Sequence, residues 1–209
     1  MEVEKELLNI AKKIRALSQI GLVYAADNYS TERYEELIKL SDELTAIVSG
    51  NEVSVINGCF VVETDYVTPK VDVRGVVFDA ENRILLVREQ ADGLWSVPGG
   101  WADVGFSPNE NAVREIKEET GLDVKPVKLL AVMDKKCHPH PPHAHYAYKI
   151  FILCEWIGGQ FNSSTHEISD KGFFPQDNLP PLSEERILKS QIDMLFEYNK
   201  DKLKAAYTD

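Results

Sequence analysis

Three glutamates within nine residues are the part of this chain best suited to chemistry. The segment REIKEETGL, Arg114 to Leu122, carries Glu115, Glu118 and Glu119. Helical positions three and four apart share one side, so Glu115 faces the same way as Glu118 and Glu119. The later two also crowd the helix C-terminus, where the macrodipole disfavours negative charge. Each like-charge pair costs roughly 0.2–0.5 kcal/mol on an exposed helix, and more where water is excluded. A hard divalent cation, Mg²⁺ or Mn²⁺, turns that cost into coordination, because such ions take carboxylate oxygens. Acidic clustering alone is more often a solvated helix face. Here a Pro98-Gly99-Gly100 turn precedes the helix and lets backbone carbonyls approach the same cation. The combination favours a metal site.

The elements that must hold this face are well marked. Ser107-Pro108-Asn109-Glu110 reads as a capping box with proline at the first helical position, and Gly121 reads as the stop. Upstream, TPKVDVRGVVFDAENRILLVREQADGLWSVPGG gives strand, turn, strand and strand. Downstream, strands are expected around 127–133 and 146–156, flanking a loop rich in proline and histidine, with a turn at Gly158-Gly159. A final helix, capped at Ser183, carries Ile187, Leu188, Ile192, Leu195 and Phe196 on one face. Two amphipathic helices open the chain. The first places Leu7, Ile10, Ala11, Ile14 and Leu17 on one stripe; the second, capped by Ser30 or Thr31 and ended by Gly50, aligns Tyr34, Leu37, Ile38, Leu44 and Ile47. In VSVINGCFVVE, Asn57-Gly58 between β-branched residues signals a hairpin. Thr68-Pro69 marks a boundary, giving a helical unit over 1–68 and a main domain over 69–209. Two helices cannot bury both stripes between themselves, so the first unit must pack on the rest of the chain or on another subunit.

The segment GWADVGFSPNENAVREIKEETGL, Gly100 to Leu122, resembles the box of the Nudix hydrolases, GX5EX7REUXEEXGU, at every fixed position except Phe106, which stands in place of a glutamate. With LWSVPGG before it, the likeness runs from about Val71 to Leu182. It implies an α+β fold, an α/β/α sandwich with a mixed sheet behind the small helical unit, and hydrolysis of a pyrophosphate. It further implies that Glu115, Glu118 and Glu119, with a carbonyl of Gly99 or Gly100, hold Mg²⁺ or Mn²⁺, and that Arg114 orients the glutamates. The base is a box glutamate or a carboxylate on a later loop, with Glu167 and Asp170 the candidates. By the capping pattern Phe106 lies outside the helix, so its substitution removes a supporting carboxylate rather than the core of the site. Packing at the helix entry, or a stacking surface for substrate, are its two roles.

The stretch CHPHPPHAH carries His138, His140, His143 and His145. Prolines stiffen it against gathering four rings on one zinc ion, so a solvated loop or substrate contact through His140, His143 and His145 ranks ahead of metal capture. Trp101 and Trp95 flank the glycine turn. Core or lid packing suits both, and Trp101 could also stack on a base or cover a cation. Behind two N-terminal helices, this wording resembles the bacterial Nudix subgroup that acts on X-linked nucleoside diphosphates. The likeness implies CDP-choline first, with ADP-ribose or nucleotide sugars as alternatives, and a homodimer formed through the helical unit.

A formal charge of −11 argues against broad binding to nucleic acid or anionic membranes, though a bound cation can reverse the local potential. Three scattered cysteines without a CxxC pair, and no apolar run of spanning length, point to a soluble cytoplasmic protein. Two other classes compete with the hydrolase. A nucleotide sensor on a Nudix scaffold draws on Phe106 but is opposed by the intact REIKEETG helix, and an RNA-processing phosphohydrolase or nuclease lacks a basic stripe.

Overall fold

The computed structural model describes residues 2–60 and 66–209. The chain forms two compact units, Met1–Pro69 with Pro142–His145, and Lys70–Pro141 with Tyr146–Asp209.

In the first unit, α1 (Glu2–Tyr24) and α2 (Asn28–Ser49) run antiparallel through a short link, followed by the single-turn α3 (Val53–Gly58). Small residues make the contact. Ala11 is fully buried, Ser41 Oγ donates to Ala11 O at 2.8 Å, and Arg15 pairs with Asp42. The large apolar side chains are mostly left outside, with Leu17 59% and Ile47 78% exposed. The cap of α2 is Asp27, whose carboxylate accepts from Ser30 N at 2.8 Å and from Ser30 Oγ, rather than Ser30 or Thr31. The Asn57-Gly58 hairpin is also replaced. Those residues end α3, because Glu52 O accepts from Val55 N and Ile56 N, and the turn so formed buries Ile56. Of the expected second arm, 59–63, Cys59 caps α3 and residues 61–63 lie outside the described residues.

The second unit begins with β1 (Lys70–Val77), β2 (Ile84–Glu89), β3 (Trp95–Ser96) and β4 (Gly99–Trp101). Helix α4 (Pro108–Thr120) follows, then β5 (Leu122–Asp134), β6 (Ala147–Gly159), β7 (Ile168–Phe174), α5 (Lys189–Lys200) and β8 (Tyr207–Thr208). Among the described residues these strands form a five-stranded sheet, β4-β1-β6-β5-β8, and a three-stranded sheet, β3-β2-β7. β1 is the pivot, pairing parallel with β6 on one side and antiparallel with the short β4 on the other. Two cores result. Ala112 and Ile116 of α4 pack on Val73, Val77, Leu85 and Ile152, while Ile192, Leu195 and Phe196 of α5 pack on Val76, Ile84, Leu86 and Phe151. Each of these valine, leucine, isoleucine and phenylalanine side chains stabilises the fold by about 1.5–3 kcal/mol on full burial. This is the α/β/α arrangement with a mixed sheet.

Two further expectations shift. Gly158 and Gly159 do not turn but extend β6, paired with Asp123 and Leu122. α5 starts at Lys189, not after Ser183; Ser183 O closes a turn by accepting from Arg186 N and Ile187 N, and its hydroxyl bonds Asp92 at 2.7 Å. Among the described residues, no helix is long and apolar enough to cross a membrane.

Candidate active site

Helix α4 is fixed at both ends by local chemistry. Ser107 accepts from Glu110 N while the Glu110 carboxylate accepts from Ser107 N at 2.8 Å, and Gly121 closes the C-terminus in the left-handed conformation. Its position over β1 depends on Gly75, where a Cβ would lie 2.4 Å from Ile116 Cδ1. The glycine turn is held as tightly. Gly99 has φ 130°, and a Cβ there would meet Val73 O at 2.1 Å. Gly99 N donates to Glu119 Oε2 at 3.0 Å, which ties the last turn of α4 to the start of β4.

The three glutamates occupy different environments. Glu119 is buried, Glu115 is mostly buried, and the Glu118 side chain is 57% exposed. Burial pushes Glu119 up to about 8; Arg74 opposes this, and the charges of Glu115 and Glu89 reinforce it. Glu115 is likewise raised by burial, with Arg114 opposing and Glu118 and Glu167 adding to it. Arg114 lies across the outer side of this group. Its Nη1 donates to Glu118 Oε1 at 3.2 Å, while Nη2 donates to Glu115 Oε1 at 3.4 Å and to Asp103.

Below the turn lies a second set of charges. Arg74 is buried on β1, with Nε 2.7 Å from Asp72 Oδ1 and Nη1 3.0 Å from Val97 O. Lys149, on β6, reaches the other oxygen of Asp72. Burial pushes the Asp72 carboxyl up, but Arg74 and Lys149 outweigh it and hold the group at about 2. Glu89 accepts from Ser96 Oγ at 3.0 Å and pairs with Arg186 at 3.2 Å. Sequence reading passed over Asp72, Arg74, Glu89, Asp103 and Lys149. The available signal was charge at alternating positions, Asp72 and Arg74, within a strand otherwise apolar.

The remaining expected residues are dispersed. Glu167 is exposed and acts electrostatically on Glu115, whereas Asp170 accepts from Lys171 N and sits opposite Arg88. Trp101 is exposed with Lys70 Nζ 5.9 Å from its ring centroid, while Trp95 packs edge-on against Phe174. Phe106 is 49% exposed beneath the Arg114 guanidinium, at the edge of a hollow of about 480 Å³ shared with Val113 and Pro126. His140 is not a surface ligand. It is 4% exposed, with Nδ1 2.6 Å from Glu184 O and Nε2 3.1 Å from Gln191 Nε2, so neither nitrogen is left for substrate. His138 pairs with Asp209. His143 and His145 belong to the first unit, where the His145 ring meets Phe60 edge-on.

Among the described residues no three acidic, histidine or cysteine side chains already form a closed cation cage. The donors nonetheless suit Mg²⁺ or Mn²⁺ in kind. Mg²⁺ needs only one or two carboxylates and keeps several waters. Glu115 and Glu119 offer carboxylates raised by burial and mutual repulsion, beside the backbone of a turn that carries no side chain. Glu118 is drawn toward Arg114 and stands at the rim.

Comparison with known proteins places the chain in a family. The NUDIX domain matches residues 68–195, and the UDP-X-like, N-terminal oligomerisation domain matches residues 5–60. The chain is 50% identical over 198 residues to the Bacillus subtilis protein YjhB, provisionally named an ADP-ribose pyrophosphatase, covering 95% of this chain and 94% of that one. A crystal structure of a UDP-X diphosphatase aligns over 99% of both chains at 33% identity, with a TM-score of 0.63. An ADP-ribose pyrophosphatase from Streptococcus suis aligns over 68% of this chain and all of its own, at 37% identity and a TM-score of 0.59. The chain belongs to the Nudix hydrolases, with a UDP-X-like oligomerisation domain ahead of its pyrophosphatase fold.

Proposed function

We propose that this protein is a Mg²⁺- or Mn²⁺-dependent pyrophosphohydrolase of X-linked nucleoside diphosphates, releasing a nucleoside monophosphate and phosphoryl-X. The observation that carries the reading is the burial of Glu119 against Gly99, with Glu115 beside it and Arg114 spanning the outer carboxylates. Glu115, Glu118, Glu119 and a carbonyl of Gly99 or Gly100 would hold the metal. When bound, it would supply positive charge against the substrate's polyanion and make the attacking water more acidic. Arg114 keeps Glu115 and Glu118 aimed. Glu167, exposed and electrostatically coupled to Glu115, takes the proton of the attacking water. The water oxygen bonds to one phosphorus, and the bridging P–O bond breaks with its electrons on the departing phosphate.

Trp101 and Phe106 are two exposed aromatic side chains, and we assign them to contact with a base or X group. His143 and His145 are further candidates for substrate contact. Similarity to proteins named for ADP-ribose and UDP-X puts those conjugates beside CDP-choline as the substrates to assay first. The helical unit forms a homodimer, in keeping with its match to an oligomerisation domain and its uncovered leucines and isoleucines. The cytoplasm is the proposed compartment.

A screen of ADP-ribose, UDP-sugars and CDP-choline with Mg²⁺ or Mn²⁺, read by mass spectrometry in ¹⁸O water, tests the reaction and locates the attacked phosphorus. Glu119→Gln keeps the hydrogen bond to Gly99 but loses the charge, and should lower kcat by roughly a thousandfold, about 4 kcal/mol, with the fold intact. Near-normal turnover in that variant removes Glu119 from the site. Tight nucleotide binding with no monophosphate released would favour the sensor.

A further inference from the structure

The buried charges beneath the glycine turn have no task in the hydrolytic scheme. We infer that Asp72, Arg74 and Lys149 form a positioning network that fixes the backbone of Val97–Gly100, presenting Gly99 and Gly100 to Glu119 and Glu115 in a single geometry. Its catalytic consequence rests on the hydrolase reading; its structural content rests on hydrogen bonds alone.

Three consecutive residues of the turn are each held. Arg74 Nη1 donates to Val97 O at 3.0 Å, Gly75 N donates to Pro98 O at 2.9 Å, and Gly99 N is tied to Glu119 at 3.0 Å. Two of these anchors come from adjacent residues of β1, and Arg74 itself pairs with Gly99 in the ladder. The first anchor depends on where the guanidinium points. Nε and Nη2 donate to the two oxygens of Asp72 at 2.7 and 3.4 Å, leaving Nη1 aimed at Val97. Asp72 cannot swing away, because Lys149 occupies its Oδ2 from the neighbouring strand. The Lys149 side chain is 1% exposed and directs its charge to this contact.

Burying three charges carries a large desolvation penalty, and apolar residues of similar volume often stabilise a core as well or better. The trio therefore needs a reason beyond stability. One is geometry: a planar fork fixes two directions at once, which a lysine ammonium cannot do. The other is sign. With one carboxylate and two cations, the trio carries net positive charge, and Arg74 lies within electrostatic reach of Glu119 and Glu89. It offsets the repulsion among the carboxylates gathered above it.

The test compares wild type with Arg74→Gln, Arg74→Lys and Lys149→Met, using amide hydrogen exchange of the metal-free protein and steady-state kinetics with Mn²⁺. In both Arg74 variants the Gly99 amide should exchange about tenfold faster or more, while amides of the β5–β6 pair stay within about twofold of wild type. Under the same conditions kcat should fall roughly tenfold to a hundredfold with KM within about threefold. Lys149→Met, which keeps the Arg74–Asp72 fork, should show the same selective exchange at smaller size, and it decides the matter if the Arg74 variants do not fold. Unchanged Gly99 protection overturns the inference. So does uniform acceleration across β5 and β6, which would mean general stabilisation, or full restoration by Arg74→Lys, which would mean charge without direction. A wild-type chain that hydrolyses no conjugate refutes the hydrolase reading, and amide exchange at Gly99 then decides for or against the network by itself.

Discussion

Replacing Asp72 by asparagine should cost this fold far more than replacing Lys149 by methionine, although the two side chains touch. Asp72 is the anion at the centre of the trio, accepting from Arg74 Nε at 2.7 Å, from Arg74 Nη2 at 3.4 Å and from Lys149. Asp72→Asn leaves two buried cations facing each other without a counter-charge. Removing one partner from a buried ion pair costs about 3–5 kcal/mol, and here two cations lose the same partner. Lys149→Met leaves the neutral Asp72–Arg74 pair and fills a slot that is 1% exposed with an apolar stem of similar length, at a cost of about 1 kcal/mol or less. Acid supplies a second handle. Asp72 is held at about 2 in the folded chain against an ordinary 3.8, so its ionised form stabilises the fold above pH 3.8, and this stabilisation disappears as pH falls through 2. The shift corresponds to roughly 2–3 kcal/mol. Urea unfolding of metal-free protein at pH 7 and at pH 3, followed by tryptophan fluorescence, measures both. Asp72→Asn should lie several kcal/mol below wild type at pH 7 and lack the Asp72 part of the acid loss. Equal losses in the two variants, or an asparagine variant within about 1 kcal/mol of wild type, would refute the picture of a single anion balancing two buried cations.

Two further outcomes are expected. Burial holds His140 at about 4, below its ordinary 6.5, so the unfolded chain takes up that proton first and stability should fall by about 2 kcal/mol from pH 7 to pH 5; ring titration by NMR near 6.5 would contradict the burial. Leu17→Glu with Ile47→Glu places charge on the two most open leucine and isoleucine positions of α1 and α2, and should turn a dimer into a monomer in sedimentation while the Nudix domain melts as before. A wild-type chain that sediments as a monomer at micromolar concentration would remove the dimer.

The features legible in the sequence were those written locally. Ser107, Glu110 and Gly121 sit in a short window, and the first two bond each other, so the limits of α4 could be read directly. The carboxylate face followed from helical spacing, and the close turn from two glycines after a proline. What escaped was set by distant partners. Asn57-Gly58 carries a hairpin signal, yet Glu52 O offers a nearer acceptor and the chain coils instead. Ser183 looks like a cap, but Asp92, far away in sequence, takes its hydroxyl. His140 reads as a loop ligand because nothing near it in sequence shows that Glu184 and Gln191 close over its ring. Asp72 and Lys149 are 77 residues apart and meet only because β1 and β6 pair in parallel.

Phe106, at the position of the box glutamate, becomes intelligible through Arg114. That guanidinium already meets three carboxylates, Asp103, Glu115 and Glu118, and its Cζ lies 5.0 Å above the Phe106 ring. A fourth anion here would add repulsion to a group in which Glu115 and Glu119 are already raised by burial. An aromatic face takes the flat side of the cation without adding charge, an interaction of about 0.5–1 kcal/mol at an exposed site. The exchange has a visible cost. Among the described residues Arg114 Nε is buried without a hydrogen-bond partner, and a buried unanswered donor costs about 1–3 kcal/mol. A carboxylate at 106 could answer Nε; a phenyl ring cannot. Asp103, three residues earlier, keeps Nη2 engaged, so Arg114 stays directed at Glu115 and Glu118 although the box glutamate is gone. The substitution therefore changes how the arginine is held while leaving in place what it holds.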